Sequence, residues 1–197
     1  MTSKSWVSHL RPHKIPFRRR FARASVALIC RTADSGGKEL LFIQRARREG
    51  DPWSGDMAFP GGRLQPEDDS TRAAAERETL EETGMDLRRH GRFQTRLSDL
   101  ITRHHNRWRP MVVTPYVFEW RGSKLVSPNH EVERVVWVPM DYLAAGENQG
   151  RLPWRTPLGT LNMPCCRYQD ACIWGLSYSM LQELLATSIN ARSEIPQ

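Results

Sequence analysis

The chain has few cysteines, and their spacing suits neither a disulfide nor a zinc framework. Cys30, Cys165, Cys166 and Cys172 are all it holds, two of them adjacent and none at a paired spacing. A reducing, cytoplasmic setting is the expectation. Long apolar runs are missing too. The longest, Ala24 to Cys30, is broken by Ser25 and falls far short of the roughly 20 residues a spanning helix needs. No internal repeat or low-complexity tract is present. Acidic residues are absent before Asp34, whereas Lys4, Arg11, Lys14, Arg18, Arg19, Arg20, Arg23 and Arg31 all precede it. That basic lead-in has three readings: a guide for phosphate-bearing substrates, a transit peptide, or a solvated approach to the domain. Pro12 and Pro16 interrupt any long amphipathic helix, which favours the last.

What the chain does have is 197 residues, enough for one domain with a real core. Its net charge of +7, with a pI near 9.7, favours an anionic partner. Arg23 to Arg31 and Glu39 to Arg45 read as two strands joined by the turn Asp34-Ser35-Gly36-Gly37. An irregular segment from Arg45 to Asp56 follows. Its Arg45, Arg47 and Arg48 either grip substrate phosphates or decorate a solvated loop. Trp53 either stacks on a base or joins the core. Further strands are expected at Arg92 to Ile101, Met111 to Trp120 and Leu161 to Tyr168. A second basic loop from Thr102 to Pro110 carries His104 and His105, as phosphate or metal-water contacts or as plain surface residues. Glu131 to Pro139 reads as loop then strand, with a short helix from Asp141 to Ala145. A helix opened by Ile173-Trp174-Gly175-Leu176 runs through Leu185.

The rest is organised around Ala58 to Asp86. Ala58-Phe59-Pro60-Gly61-Gly62 reads as a strand end and a glycine turn, and Asp69 or Ser70 caps a helix that Gly84 ends. At about 100° per residue, Glu78, Glu81 and Glu82 share one stripe while Glu76 points away. Three carboxylates at that spacing repel one another at the negative end of the helix dipole. They imply a cation, and an all-oxygen ligand set suits Mg²⁺ or Mn²⁺.

This segment resembles the Nudix box, whose pattern is Gly, five residues, Glu, seven residues, then Arg-Glu-apolar-x-Glu-Glu-x-Gly-apolar. Arg77 to Met85 fits the second half, with Thr79 in the first apolar place. In the first half Asp68 replaces Glu, and eight residues separate it from Arg77. Phe-Pro-Gly-Gly with the longer spacing is similar to the coenzyme A pyrophosphatase branch. So are Arg45-Ala46 and the Ile173 to Leu176 helix start. That branch has a second arginine where this chain has Asp51.

The resemblance implies an α/β fold, the Nudix-type α/β/α sandwich with a mixed β-sheet. Residues 1–22 would be the basic lead-in and 23–190 the hydrolase domain. Glu78 and Glu82 would ligate Mg²⁺ or Mn²⁺, with the Gly62 carbonyl adding an oxygen. Glu81 or Glu131 would act as base, though Glu131 is equally read as a turn carboxylate paired with an arginine. Arg77 would be a structural partner of Asp68 or a box glutamate. The implied reaction is cleavage of coenzyme A or an acyl-CoA to 3′,5′-ADP and 4′-phosphopantetheine. ADP-ribose or dinucleotide hydrolysis, RNA 5′-end hydrolysis and a non-catalytic nucleotide-binding module stand as alternatives. The expected partner is a small nucleotide, with nucleic acid not favoured, no membrane, and a homodimer left open.

Overall fold

The computed structural model of the protein describes residues 12–49, 53–104, 107–123, 125–156 and 159–193. Lys4, Arg11, Asp51 and His105 lie outside them, as does the side chain of His104. In chain order the elements are β1 (Ala22–Thr32), β2 (Lys38–Arg45), β3 (Met57–Ala58), β4 (Gly61–Arg63), α1 (Thr71–Thr83) and α2 (Leu87–His90). There follow β5 (Gly91–Arg96), β6 (Leu100–His104), β7 (Arg107–Trp120), β8 (Val132–Pro139), α3 (Met140–Ala144), β9 (Gln149–Thr156), β10 (Gly159–Tyr168), β11 (Ala171–Trp174) and α4 (Gly175–Ser193).

β1 is the axis of the main sheet. Its apolar run is buried on both faces, as expected for a strand that pairs in parallel with β7 from Ala22↔Met111 to Cys30↔Glu119. Its other edge is shared. β2 takes the Cys30 to Thr32 end through the expected hairpin, and β4 takes Ala24 to Val26. β3 and β8 extend the sheet beyond β2, while β5 and β6 pair with β7. Alternate side chains feed two cores. Ala27, Ile29, Leu41 and Ile43 pack towards α1 and α2, where Ala75, Met85 and Leu87 meet them. Leu28, Cys30, Leu40 and Phe42 pack towards Met140 and Leu143 of α3 and Leu181 and Leu184 of α4. At about 1.5–3 kcal/mol for each large side chain fully buried, these two layers hold the sandwich together.

Several boundaries differ from the sequence reading. The strand expected over Arg92 to Ile101 is two strands, because Leu97 leaves the ladder to donate its N–H to the Pro115 carbonyl and Asp99 turns inward. There Asp99 accepts from Thr114 Oγ1 at 2.7 Å and from the Ile15 N–H at 3.1 Å, and pairs with Arg18 and Arg96. The described part of the lead-in is therefore tied down at this corner. The stretch read as a second basic loop is largely the β6–β7 ladder. Ile173 and Trp174 close β11 rather than opening the last helix, which begins at Gly175, where φ is +60°, and runs on to Ser193. β9 and β11, unexpected from the sequence, join β10 in a second, three-stranded antiparallel sheet. Pro153 hides β9, and an edge strand is where a proline is tolerated. Among the described residues no helix is long and apolar enough to cross a membrane.

Candidate active site

α1 begins as its capping chemistry demands. Ser70, rather than Asp69, is the N-cap, accepting from the Ala73 N–H at 3.1 Å, and Gly84 ends the helix at φ +73°. Thr79, in the box's apolar place, is fully buried, and its hydroxyl donates back to the Ala75 carbonyl at 2.7 Å. A polar atom thus fits an apolar slot without an unmade hydrogen bond.

Arg77 fastens the loop before α1 to the helix. Nε and Nη2 meet the two carboxylate oxygens of Asp68 at 3.0 Å each, and Nη2 also reaches the Arg63 carbonyl at 3.1 Å. Nη1 contacts Glu78 at 3.0 Å and Glu81 at 3.1 Å. Asp68 N–H donates to the Gln65 carbonyl, and Gln65 N–H returns to the Asp68 carboxylate at 2.9 Å. That tight turn carries the shorter Asp side chain within bidentate reach. The Arg77 guanidinium in turn holds Asp68 below the usual carboxylate range.

Of the three striped carboxylates, two converge and one turns aside. Glu82 is 6% exposed, and its Oε2 accepts from the Gly61 N–H at 2.9 Å. Burial pushes its pKa up to about 8; that N–H and the charge of Arg45 offset this only in part, and the charges of Glu78 and Glu131 add to it. Glu78, also raised by burial, lies against Gly62: a Cβ there would stand 2.4 Å from Glu78 Oε1. Glu81 is half exposed and held by Arg77. Glu76 pairs with Arg72 and Arg88, away from the cluster.

These residues fit a hard divalent ion. Glu82 is buried with little compensation from the protein, and Gly62 leaves room beside Glu78 that any Cβ would fill. Among the described residues no three acidic, histidine or cysteine side chains form a ready metal-binding group. Mg²⁺ is nevertheless usually held by one or two carboxylates, with waters and substrate phosphates completing its shell.

The segment from Val126 to Glu131 closes over the C-terminal end of α1. Ser127 N–H donates to the Thr83 carbonyl at 2.8 Å and Asn129 N–H to the Glu82 carbonyl at 3.1 Å. Asn129 Oδ1 accepts from the Glu131 N–H at 2.8 Å, and Ala46 N–H donates to the Glu131 carbonyl at 2.8 Å, joining the arginine segment to this loop. Glu131 Oε1 pairs with Arg48 Nη2 at 3.2 Å, the arginine pairing that the sequence left as its second reading.

The three arginines diverge. Arg45 acts on Glu82, Arg48 holds Glu131, and Arg47 acts on Asp170, which also pairs with Arg134. Arg45 lines a pocket of about 230 Å³ with Trp53, Met57, Ala58, Trp174 and Leu176. Trp53 is 37% exposed on the pocket wall and outside the core. Trp174 packs on Trp154 with ring centroids 4.7 Å apart. The sequence reading missed the wall formed by Trp174 to Ser177, although the glycine after Trp174 was the signal for a strand ending there.

A NUDIX domain model matches residues 21–155, more than half of the chain. An uncharacterized Schizosaccharomyces pombe protein is 37% identical over 117 residues, covering 57% of this chain and 35% of its own length. The chain thus spans about a third of that relative. Three solved structures share the fold. A C. elegans Ap4A hydrolase binary complex aligns with TM-score 0.52 and 19% identity, over 63% of this chain and 84% of its own. A MutT/nudix family protein of Enterococcus faecalis gives 0.53 and 17%, over 89% and 63% respectively. The Nudix hydrolase RenU of M. smegmatis gives 0.51 and 20%, over 62% and 73%.

Proposed function

Because the chain belongs to the NUDIX domain family, we propose that it is a divalent-metal-dependent hydrolase cleaving the diphosphate linkage of a nucleoside diphosphate derivative. The observation that carries this reading is the convergence of Glu78 and Glu82 on the Gly61-Gly62 turn, with Glu82 buried and short of protein counter-charge. Glu78 and Glu82, with the Gly62 carbonyl, would hold Mg²⁺ or Mn²⁺. When bound, the ion neutralises the diphosphate and lowers the pKa of an attached water. Glu131 takes the proton of the attacking water, and Glu81, tied to Arg77, is the other candidate for this role. The water oxygen bonds to one phosphorus as the bridging P–O bond breaks, and the second phosphate leaves with the electron pair. Arg45, Arg47 and Arg48 are the candidate phosphate contacts. Their directions rank them: Arg45→Ala is expected to lower kcat/KM by about tenfold or more, a charged contact of roughly 1.5–3 kcal/mol. Arg47→Ala is expected to stay within about twofold of wild type, because a contact as exposed as its neighbour Asp170 contributes little. Steady-state kinetics on the three single variants checks the order.

The finer reading is coenzyme A, cut to 3′,5′-ADP and 4′-phosphopantetheine. Its support is that the segments resembling the coenzyme A branch meet at one pocket: Arg45 beside Ala46, Met57 and Ala58 before Phe59, and Trp174 to Leu176. Dephospho-coenzyme A keeps the diphosphate and loses only the 3′-phosphate. Coenzyme A is expected to exceed it in kcat/KM by about tenfold, the worth of one charge-assisted hydrogen bond. A panel with products identified by mass decides the matter. Equal turnover of the two removes the 3′-phosphate reader. Preference for ADP-ribose, a dinucleotide or capped RNA replaces the substrate, and binding without turnover leaves a nucleotide-binding module.

A further inference from the structure

We infer that the Arg48–Glu131 ion pair is a latch that the substrate diphosphate opens by taking Arg48. The inference rests on the hydrolase reading above. Arg48 Nη2 and Glu131 Oε1 make one contact, at 3.2 Å, between side chains that are 46% and 48% exposed. Such a pair is weak and easily exchanged. A diphosphate presents several oxyanions to the guanidinium and can take it in bidentate fashion, which a single carboxylate oxygen here does not.

The backbones beneath the two side chains do not exchange. Arg48 N–H donates to Ser54 Oγ at 2.9 Å, and Ser54 Oγ donates back to the Arg48 carbonyl at 2.8 Å. Ala46 N–H holds the Glu131 carbonyl, while Asn129 is bonded to both the Glu131 N–H and the Glu82 carbonyl. Only the two side-chain tips are free to part. When Arg48 turns to the phosphate, the Glu131 carboxylate loses this cation while its main chain stays fixed beside the end of α1 that carries Glu82. His130 Nε2 then remains 3.9 Å from Glu131 Oε1. Capture of the diphosphate and release of the carboxylate are one exchange of partners, so a site without substrate keeps Glu131 engaged.

Glu131→Gln should therefore free Arg48 in advance. The test is the calorimetric Kd for α,β-methylene-ADP with Mg²⁺, a diphosphate whose bridging CH₂ cannot be hydrolysed. Glu131→Gln is expected to bind it about two- to fivefold tighter than wild type, the range for loss of a competing exposed pair. Arg48→Ala should weaken binding, the double variant should match Arg48→Ala alone, and Arg48→Lys should restore part of the affinity. In turnover, Arg48→Ala should raise KM and leave kcat nearly unchanged, while Glu131→Gln lowers both. Unchanged or weaker binding by Glu131→Gln, a double variant still tightened relative to Arg48→Ala, or no binding by wild type each overturns the latch. If the binding pattern holds while no diphosphate substrate is hydrolysed, the latch stands and the hydrolase reading falls.

Discussion

Glu82→Gln is expected to lower kcat by at least about 100-fold in saturating Mg²⁺, because charge stabilisation is usually the largest catalytic contribution. The fold should survive it. Gln keeps an oxygen for the Gly61 N–H, and the Asn129 N–H is bound by the main chain of residue 82, not its side chain. The metal-free variant should even be the more stable protein at high pH. Burial places the folded pKa of Glu82 near 8, above the value of about 4.3 for an unperturbed glutamate. Between these values the folded chain binds a proton that the unfolded chain has lost. The stabilisation from that proton is complete below about pH 4 and is lost as pH rises through 8. Melting curves in EDTA should therefore show wild type losing stability from pH 6 to 9 more steeply than Glu82→Gln, with Mg²⁺ restoring the wild type. A variant near the wild-type rate, or full wild-type activity in excess EDTA, would sink the metal assignment.

The adjacent glycines should respond to the same substitution in opposite ways. Gly61 sits at φ +150°, and a Cβ there would meet the Ser25 carbonyl oxygen at 2.2 Å and Val26 Cα at 2.6 Å. Both belong to the backbone of β1, which lies between β7 and the β2–β4 edge and has nowhere to go. Gly61→Ala is expected to cost about 3 kcal/mol or more, a fall in Tm of roughly 6–12 °C for a chain of this size, or failure to fold. At Gly62 the obstacle is the end of a flexible side chain, the Glu78 carboxylate. Gly62→Ala should leave Tm within about 2 °C and still reduce kcat by about tenfold or more, by pushing Glu78 out of place. Thermal melts beside kinetics separate the two outcomes. A fully active Gly62→Ala protein would show that Glu78 is not needed where it stands.

The sequence was most legible where local chemistry decides structure. Ser70, Gly84 and the 3.6-residue stripe placed α1, and Asp34 to Gly37 placed the first hairpin, since caps and turns depend on residues close in the chain. It was least legible where partners are distant. Asp99 interrupts the β5–β6 stretch because Ile15, Arg18 and Thr114 reach it from elsewhere. β9 carries a proline and half-exposed alternation, so its identity comes from β10, not from propensity. Within the site, spacing put Glu78, Glu81 and Glu82 on one stripe. The ion pair that draws Glu81 to Arg77, and the diverging directions of three arginines only a few residues apart, depend on partners that spacing cannot reveal.

The pocket joins two parts of the chain, one inside the segment that matches the family and one beyond it. Its floor, Arg45, Trp53, Asp56, Met57 and Ala58, lies inside the segment that matches the family. Its far wall, Trp174 to Ser177, hangs from the second sheet and α4, beyond that segment. The strand that carries that wall, β11, pairs with β10. Substitutions in that wall would therefore reshape the pocket without altering α1, whose ends are set by Ser70 and Gly84.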